Sequence, residues 1–532
     1  MTTEEEQREK KKGAFAPFRE SVFVRSLAIR ASESLMAVSA GAIIALVVIT
    51  GVKQDPEPAM GAALPNNMLT PSDGLTHFSQ HEELSCDDTV EGDKIHCHMQ
   101  KEANMCRVPS YELNKADLEM ARIAWKYFEN NYVPETGLVN SVNNYPSTTM
   151  WDTGSALAAY IAARDFGFID QKEFDDAMMA LLETLSRIEL FDGAAPNKVY
   201  NARTLKMVDY GNNEVENGIG VSVLDLARLI SWMNTLQCMH PKYYSGINTV
   251  LSRWDYTRLI SNEEMYGMER DENDGNIIHP RQEGRLGYEQ YAGKIFEHTG
   301  FNVSTAATYN NKHRSNTSIL GVPIAFDSRD PREFTANNYV VTESYVMDAM
   351  ELGIDDENRE LLNNIYQVQK QRWEETGIVT AISEDNIDRE PYFLYNTIFN
   401  AGLNFSTVSS SGDNYDHLKS VSTKAAITMA ILFPDDPYST TLMSTISSAY
   451  DPEGGWYSGL YESGAGYNDV TTANTNGVIM SALLYKKYGA LFKHCNNCSK
   501  PIKIQSELLN KIDRISECRH CETPKKLSLS DQ

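Results

Sequence analysis

Acidic and aromatic side chains occur together in several loops of this 532-residue chain. Trp151 and Asp152 are adjacent where a loop with glycine and proline breaks leads into a helical pattern. A second cluster, "RQEGRLGYEQYA", contains Glu283 and Glu289 beside tyrosines. One carboxyl group can protonate a leaving oxygen while another activates water or attacks carbon, which is the chemistry that breaks glycosidic bonds. The residue types therefore favour chemistry on sugars, with the aromatic rings as flat surfaces for sugar rings.

These loops predict a catalytic set and a sugar-binding set. We predict Asp152 as the base or nucleophile and Glu289 as the acid, with Glu283 as the alternative partner of Asp152. The predicted sugar-binding residues are Trp151, Tyr200, Arg285, Tyr288, Tyr392, Trp456, Tyr461 and Asp469.

Each predicted carboxylate also has a structural alternative. Asp152 stands at what we interpret as an N-cap position, where a carboxylate satisfies free backbone N–H groups and complements the helix dipole. Arg285 follows Glu283 closely, and an ion pair would keep that carboxylate ionised and unsuited to be a general acid. Glu289 has more apolar and aromatic neighbours, which favours a raised pKa. The sequence leaves these alternatives open.

Helical periodicity dominates the chain from Asn114 onwards, with roughly twelve helical segments and only short strand signals in the loops. Related loops begin with an acid and glycine at Glu135, Glu375 and Glu453, which indicates an internal repeat. Either stacking the hairpins in a line or closing them in a ring would bury their apolar faces, and twelve helices fit a ring of six hairpins. We therefore predict an all-α (α/α)6 toroid over residues 113–491, with its loops gathered at one mouth where the inner helices begin.

The N-terminal region has the pattern of a membrane anchor. The run from Ser34 to Val52 carries no charge and is long enough to cross a bilayer. Lysines and arginines precede it, so the N-terminus is expected in the cytoplasm. We predict a polar arm at 1–33, a transmembrane helix at 34–52 and a linker or collar at 53–112. A cleaved signal peptide is the alternative.

Four of the eight cysteines lie near the C-terminus in a C-x-x-C…C-x-x-C layout. This spacing is typical of a zinc ribbon, whereas disulfides are the alternative in an exported domain. Residues 492–532 are therefore predicted to form a small segment held by a structural zinc ion or by disulfides. The predicted zinc ligands are Cys495, Cys498, Cys518 and Cys521.

Composition and missing motifs exclude several function classes. The formal net charge is −25, which argues against nucleic acid and disfavours acidic glycans. The chain has no phosphate-binding glycine loop, no H-E-x-x-H and no G-x-S-x-G elbow. We therefore expect no cofactor for catalysis.

Four stretches carry a family resemblance: "TTMWDTGSALAAYIAARDFGFI", "FDGAAPNKVYN", "LARLISWM" and "EGRLGYEQYAGKIF", in that order. Together they resemble the bacterial membrane-anchored family known as domain of unknown function 3131, over about Leu113 to Leu491. That family is related to the six-hairpin glycosidase superfamily. The resemblance implies the (α/α)6 toroid and a β-glucan-type or envelope polysaccharide as substrate, and it carries over no catalytic residues.

Two function hypotheses follow. The first is a membrane-tethered, exported glycoside hydrolase or transglycosylase that acts on a neutral, β-glucan-like polysaccharide through two carboxylates. The alternative is a non-catalytic glycan-binding or scaffold subunit of a polysaccharide synthesis and export system. A polysaccharide lyase is less favoured, because it would act on an acidic substrate. In either case we expect a single-pass protein of a bacterial inner membrane, with the main domain outside the cytoplasm and an envelope polysaccharide machinery as partner.

Overall fold

The computed structural model describes residues 111–271, 275, 277–283, 285–331 and 338–498. The predicted polar arm, the predicted membrane helix, the linker up to residue 110, Cys518 and Cys521 lie outside the described residues. Among the helices that are described, none has the length and apolar character needed to cross a membrane.

Helical hairpins follow one another along the described chain, each with an outer and then an inner helix. The outer helices are α1 (Lys115–Asn131), α3 (Gln171–Arg187), α5 (Tyr244–Leu251), α7 (Ser304–Ala307), α9 (Asp356–Thr376) and α11 (Pro437–Ile446). The inner helices are α2 (Met150–Asp165), α4 (Val223–Met239), α6 (Tyr288–His298), α8 (Thr342–Met347, continued by a π-helical turn at Asp348–Leu352), α10 (Thr423–Leu432) and α12 (Ala473–Tyr488). Short 3-10 turns lie at Pro241–Tyr243, Tyr256–Arg258 and Asp416–Leu418.

The inner helices form a closed ring. Each one packs against the next in chain order, and α12 packs back against α2. The predicted arrangement of hairpins in a ring is therefore confirmed for the described residues, although outer helix α7 is only 4 residues long. A further helix, α13 (Leu491–Cys498), follows α12 and packs against α4 and the π-helical turn.

Small residues allow the inner helices to approach one another closely. Helix α2 lies between α4 and α12 and is buried along nearly its whole length. At Gly477 in α12, a Cβ atom would lie 2.7 Å from the Cβ atom of Ser155 in α2. Any larger side chain there would push the two helices apart. The outer helix α1, in contrast, buries one face and begins with a capping box between Asn114 and Asp117.

Short antiparallel strands occupy the connections, as predicted. Their bounds are β1 (Tyr132–Val133), β2 (Leu138–Val139), β3 (Ser147–Thr149), β4 (Leu190–Phe191), β5 (Ala195–Pro196), β6 (Val199–Asn201), β7 (Gly220–Val221), β8 (Ile260–Ser261), β9 (Glu264–Arg270), β10 (Ile278–Gln282), β11 (Arg314–Ile319), β12 (Val322–Asp327), β13 (Glu384–Asn386), β14 (Phe393–Asn396), β15 (Phe399–Asn400), β16 (Leu403–Asn404), β17 (Thr407–Val408), β18 (Ser420–Ser422), β19 (Tyr450–Asp451), β20 (Gly455–Tyr461) and β21 (Tyr467–Thr471). Strands from neighbouring connections pair with each other: β3 with β6, β7 with β9, and β18 with β20. This pairing joins the connections before α2, α4 and α6 to one another, and the connection before α10 to the one before α12.

A disulfide changes the prediction for the C-terminal cysteines. The sulfur of Cys495 in α13 is bonded to that of Cys238, near the end of α4. A zinc site built from all four predicted cysteines is therefore wrong, because one of its ligands is already bonded. Among the described residues, no group of three or more metal-binding side chains is arranged to hold an ion. The side chain of Cys498 lies outside the described part of the chain.

Candidate active site

The first turns of the inner helices bring polar side chains together at one end of the ring, which we call the mouth. The residues that define the mouth are Asp152 of α2, Asp225 of α4, Tyr288 of α6, Glu343 of α8, Lys424 of α10 and Asn474 of α12. Contacts between helices show the convergence, since Glu343 binds both Lys424 and Asn474. Helix N-termini also carry partial positive charge, which favours carboxylates at this end.

Asp152 is the third residue of α2 and does not cap the helix. The N-cap is Thr149, whose hydroxyl accepts a hydrogen bond from the Asp152 backbone N–H over 3.0 Å. The same hydroxyl lies 2.8 Å from the Asp152 carboxylate and donates to it. Burial raises the pKa of Asp152, while hydrogen bonds from Ser141 and Thr149 and the charges of Lys424 and Arg228 oppose that rise. Our interpretation of Asp152 as an N-cap residue is therefore wrong, and its carboxyl group is oriented by side-chain donors.

Asp225 holds the equivalent position on α4 and shares a donor with Glu283. The Ser222 hydroxyl lies 2.9 Å from Oδ1 of Asp225 and 3.3 Å from Oε2 of Glu283. Glu283 also accepts the backbone N–H of Leu224 over 3.1 Å, so its carboxylate faces the N-terminus of α4. Two carboxyl groups thus meet around a single hydroxyl.

Burial raises the pKa of Asp225 to about 7, and the charge of Glu283 contributes to this rise. Asp225 is only half-buried, so a molecule in the mouth can reach it. Like charges held close together favour one shared proton. Burial raises the pKa of Glu283 as well, against the lowering effects of the Lys198 charge and the Leu224 backbone N–H. Main-chain donation to Glu283 therefore favours Asp225 as the member of the pair that carries the proton.

Sequence reasoning missed Asp225, although a signal was present. Thr149-x-x-Asp152 and Ser222-x-x-Asp225 each start an inner helix, with a hydroxyl residue at the N-cap and an aspartate three residues later, in the first turn. The internal repeat therefore pointed to Asp225 once Asp152 had been selected. Glu343 and Lys424 were also missed, because they lie in helical patterns without any loop signal.

Arg285 and two tyrosines form one side of the mouth. The Arg285 guanidinium carbon lies 5.9 Å from the ring centre of Tyr288 and 5.4 Å from that of Tyr395. The Tyr288 hydroxyl donates to Glu384 over 2.8 Å, and an Arg285 nitrogen lies 3.6 Å from the other oxygen of the same carboxylate. The cation is therefore held between aromatic rings while 23% of its side chain remains exposed. This arrangement offers N–H donors to a hydroxyl-rich ligand.

Tyr210 places an accessible aromatic ring at the mouth. The residue is 69% exposed. Its hydroxyl lies within electrostatic range of Asp225, Tyr395 and Glu283. The ring can therefore contact a molecule that binds next to these carboxyl groups.

Trp151 is half-buried at the mouth and contacts four neighbours, one of which is the ring of Tyr291, edge-on with 6.3 Å between ring centres. Its Nε1 donates to Oδ1 of Asn474 over 3.0 Å. The ring of Tyr288 meets it edge-on with 5.5 Å between ring centres. The guanidinium carbon of Arg228 lies 4.9 Å from the centre of the indole ring. These contacts leave the indole partly accessible and hold it in one orientation.

A buried ion cluster lies beside Asn474. The Lys424 ammonium group is 2.6 Å from Oε2 of Glu343 and 3.3 Å from Oδ1 of Asp385. It also donates to the main-chain oxygen of Glu384 over 2.6 Å. Burial raises the pKa of Asp385 to about 6, against the lowering effect of Lys424.

Glu289 does not lie free in the mouth. Its carboxylate forms a buried ion pair with Arg329, which also binds Asp327. Gln282 donates a further hydrogen bond to it over 2.7 Å. A carboxylate that is 1% exposed and already paired with arginine is unsuited to donate a proton to substrate. The prediction of Glu289 as the acid is therefore not carried further.

Two of the predicted sugar platforms are core residues. Tyr200 and Trp456 are fully buried. The Tyr200 hydroxyl donates to the Glu189 carbonyl over 2.6 Å, and Trp456 Nε1 donates to the Met120 carbonyl over 3.0 Å. Neither ring can meet a sugar, so both predictions are wrong.

The remaining predicted residues lie in the connections between helices. Tyr461 is buried beside Leu394 and Leu418, and its hydroxyl donates to Asp388 over 2.5 Å. Tyr392 is 60% exposed, and Asp469 is exposed on β21. A sugar-binding role for Tyr392 and Asp469 stays a prediction.

Solved structures of other proteins share the ring of helical hairpins, and one family model matches the sequence. A family model described as "Protein of unknown function (DUF3131)" matches residues 119–489, more than half of the chain. No curated protein sequence matches the chain. One similar solved structure is an endo-β-1,2-glucanase from Chitinophaga pinensis in complex with sophorotriose and glucose. The TM-score is 0.54 at 13% sequence identity, and the match covers 75% of this chain and 100% of that chain.

Two further structures show the same likeness. An endo-β-1,2-glucanase from Talaromyces funiculosus, in complex with sophorose, has a TM-score of 0.51 and 13% identity, covering 78% of this chain and 91% of that chain. A candidate glucoamylase from Bacteroides caccae has a TM-score of 0.53 and 14% identity, covering 74% of this chain and 95% of that chain. At such low identity these likenesses establish the fold alone, a ring of helical hairpins.

Proposed function

The chain belongs to the DUF3131 family. From the residues at the mouth, we propose that the protein is a glycoside hydrolase that cleaves a neutral glucan with two carboxyl groups. The observation that carries the proposal is the pairing of Asp225 with Glu283 around the Ser222 hydroxyl, next to Asp152 and to the aromatic residues of the mouth. Glycoside hydrolysis needs one protonated and one ionised carboxyl group at the same pH.

Asp225 has the properties of the general acid. Its pKa of about 7 leaves a large protonated fraction near neutral pH, which is close to the optimum for proton transfer. The proton would pass from the Asp225 carboxyl group to the glycosidic oxygen as the bond to the anomeric carbon breaks. Glu283 acts through its charge, which keeps the proton on Asp225 until substrate takes it.

Asp152 is the proposed base or nucleophile. It lies on the neighbouring inner helix, close enough for its charge to raise the pKa of Asp225. Donors at Thr149 and Ser141 stabilise its ionised form. In an inverting reaction it would take a proton from the attacking water, and in a retaining reaction it would attack the anomeric carbon.

The surroundings favour a neutral sugar polymer. Trp151, Tyr395 and Tyr210 supply accessible aromatic surfaces, and Arg285 supplies donors for hydroxyl groups. Tyr288 is 3% exposed, so its ring packs against Trp151 and is not itself a platform. The carboxylates of the mouth and a net charge of −25 repel polyanions. The similar glucanase structures with bound sophorotriose and sophorose support a glucan as the substrate class.

We also propose that this domain is exported and tethered to the membrane. The uncharged run from Ser34 to Val52 supports the tether. The Cys238–Cys495 disulfide supports an oxidising compartment such as the periplasm, because thiols stay reduced in the cytosol. A protease-accessibility assay on spheroplasts tests both points, since cleavage of the domain without lysis requires exposure outside the cytoplasm.

The activity is tested with the detergent-solubilised full chain on linear β-1,2-, β-1,3-, β-1,4- and α-1,4-glucans, by the release of reducing ends. We expect one linkage to be cleaved, with activity lost in Asp225→Asn and Asp152→Asn. Asp176→Asn on outer helix α3 is the matched control, because Asp176 is exposed and pairs only with a neighbouring lysine in the described contacts. Binding of a glucan without any product would instead support a glycan-binding scaffold.

A further inference from the structure

A continuous chain of polar contacts runs from a buried cation to the indole at the mouth. The Lys424 ammonium group contacts Oε2 of Glu343 at 2.6 Å. Oε1 of the same carboxylate accepts Nδ2 of Asn474 over 2.9 Å. Oδ1 of Asn474 then accepts Nε1 of Trp151 over 3.0 Å. The four residues begin four different inner helices, α10, α8, α12 and α2.

We propose that Asn474, held by Glu343 and Lys424, is a positioning residue that fixes the indole of Trp151 as a sugar platform. The inference deepens the proposed function, on which the substrate-binding role of Trp151 rests. The orientation of the indole, however, follows from the contacts alone.

The chemistry of these four side chains permits a single direction of hydrogen bonding between them. An ammonium group only donates, an ionised carboxylate only accepts, and an indole N–H only donates. The Asn474 amide must therefore turn its NH2 group to Glu343 and its oxygen to Trp151. With the amide reversed, the oxygen would face a carboxylate and the NH2 group would face another donor.

Burial makes this direction hard to reverse. Glu343 and Lys424 are 2% and 3% exposed, and Asp385 lies 3.3 Å from the same ammonium group. Neutralising Lys424 would leave two buried carboxylates, Glu343 and Asp385, without their cation, which is costly. The buried ion pair therefore sets the Asn474 amide, which in turn sets the indole.

The remaining contacts of Trp151 define its plane less sharply. Arg228 approaches the ring through a cation–π contact and Tyr288 and Tyr291 through edge contacts, which tolerate rotation better than a hydrogen bond does. Without the Asn474 oxygen the indole keeps these contacts and loses its fixed angle. An indole whose orientation is no longer held binds substrate and transition state more weakly by similar amounts. KM therefore rises while kcat changes little.

The test is a double-mutant cycle between Asn474→Ala and Trp151→Phe, because phenylalanine keeps a flat ring but has no N–H group. We expect Asn474→Ala alone to raise KM for the cleaved glucan about three- to ten-fold, the value of one hydrogen bond, with kcat within about twofold. In the Trp151→Phe background the same substitution should add no further effect. An equal rise in both backgrounds would show that Asn474 acts on the substrate itself, which overturns the proposal.

A second measurement needs neither substrate nor activity. The emission of Trp151 is obtained as the difference between the wild type and Trp151→Phe, and its quenching by acrylamide reports how freely the ring moves. Quenching of this emission should increase in Asn474→Ala and should not change in Asn302→Ala, an exposed asparagine. Unchanged quenching in a folded Asn474→Ala protein would overturn the positioning role.

Two further results separate the outcomes. If Asn474→Ala does not fold, as judged by circular dichroism, Glu343→Gln tests the same series of polar contacts. A neutral amide at that position no longer dictates the direction of the Asn474 amide, so quenching of Trp151 should again increase. If wild-type protein neither binds nor cleaves a glucan while quenching changes as expected, the proposed function is overturned and the fixed indole stands.

Discussion

The Ser222 hydroxyl lies 2.9 Å from the carboxylate of Asp225 and serves as its oriented donor. The same hydroxyl is 3.3 Å from Glu283, so two carboxyl groups compete for one hydrogen. The hydroxyl can donate its hydrogen to only one of the two carboxylates. A proton bound to the Asp225 carboxyl group therefore relieves the repulsion between Asp225 and Glu283. This relationship makes the state of Asp225 depend on pH in the neutral range.

Replacing Asp225 should abolish the proton-donating step. We expect Asp225→Asn to lower kcat/KM by about 10²–10⁴-fold, the usual contribution of general acid catalysis. In the wild type the protonated form is active, so kcat/KM should fall as pH rises through about 7. Initial rates between pH 4 and 9 check this. A wild-type profile with no basic limb in that range would contradict the assignment.

The stability of the fold should also report on Asp225. Its pKa is about 7 in the folded state, against an ordinary value of 3.8. The native state therefore binds more protons than the unfolded state between these values, and its stability falls as pH rises across this window. Asp225→Asn removes this contribution. Urea unfolding at pH 5 and pH 7.5 should show a larger loss for the wild type than for the variant, and equal losses would refute the raised pKa.

The charge of Glu283 should raise the pKa of Asp225, the proposed general acid. Glu283→Gln removes a negative charge that raises the pKa of Asp225, so the basic limb of the pH–rate profile should move to lower pH. The rate at the optimum should fall less than in Asp225→Asn, because the proton donor is still present. A shift to higher pH, or no shift, would show that Glu283 does not act through its charge.

Glu289 should contribute to stability and not to catalysis. Glu289→Gln weakens the ion pair with Arg329, while Asp327 still binds the guanidinium. We expect a loss of about 1.5–3 kcal/mol in the free energy of unfolding, the range for hydrogen bonds to charged groups. The activity per folded molecule should stay close to that of the wild type. A specific loss of kcat at unchanged stability would reinstate Glu289 as a catalytic residue.

The disulfide should hold helix α13 against the ring. Replacing Cys238 or Cys495 by serine should lower the free energy of unfolding by about 2–5 kcal/mol. Thiol titration of the denatured wild-type protein, with and without reductant, shows whether the bond is present. Equal free-thiol counts in both conditions would contradict the bond and reopen zinc binding by Cys495.

The mouth was partly predictable from single loops. Trp151, Asp152 and Glu283 were selected because acidic and aromatic residues there interrupt a helical pattern, and the structure places all three at the mouth. Tyr200 and Trp456 come from loops with the same composition, yet their rings lie in the core. The difference cannot be seen locally, because the atoms that cover them come from other segments. The carbonyl of Met120 in α1, for example, accepts the Trp456 N–H.

The sequence by itself determined the helical hairpins and the end of them where polar side chains collect, whereas closure in a ring was decided by the packing of α12 against α2. Periodicity and repeated loop starts are local properties, so one chain read from end to end is enough for them. Only the tertiary structure decided that Glu289 pairs with Arg329, that Asp225 shares a donor with Glu283, and that Cys495 bonds to Cys238 at a separation of 257 residues. Burial and partners set the charge and reactivity of a side chain, and both are supplied by segments far away in the chain.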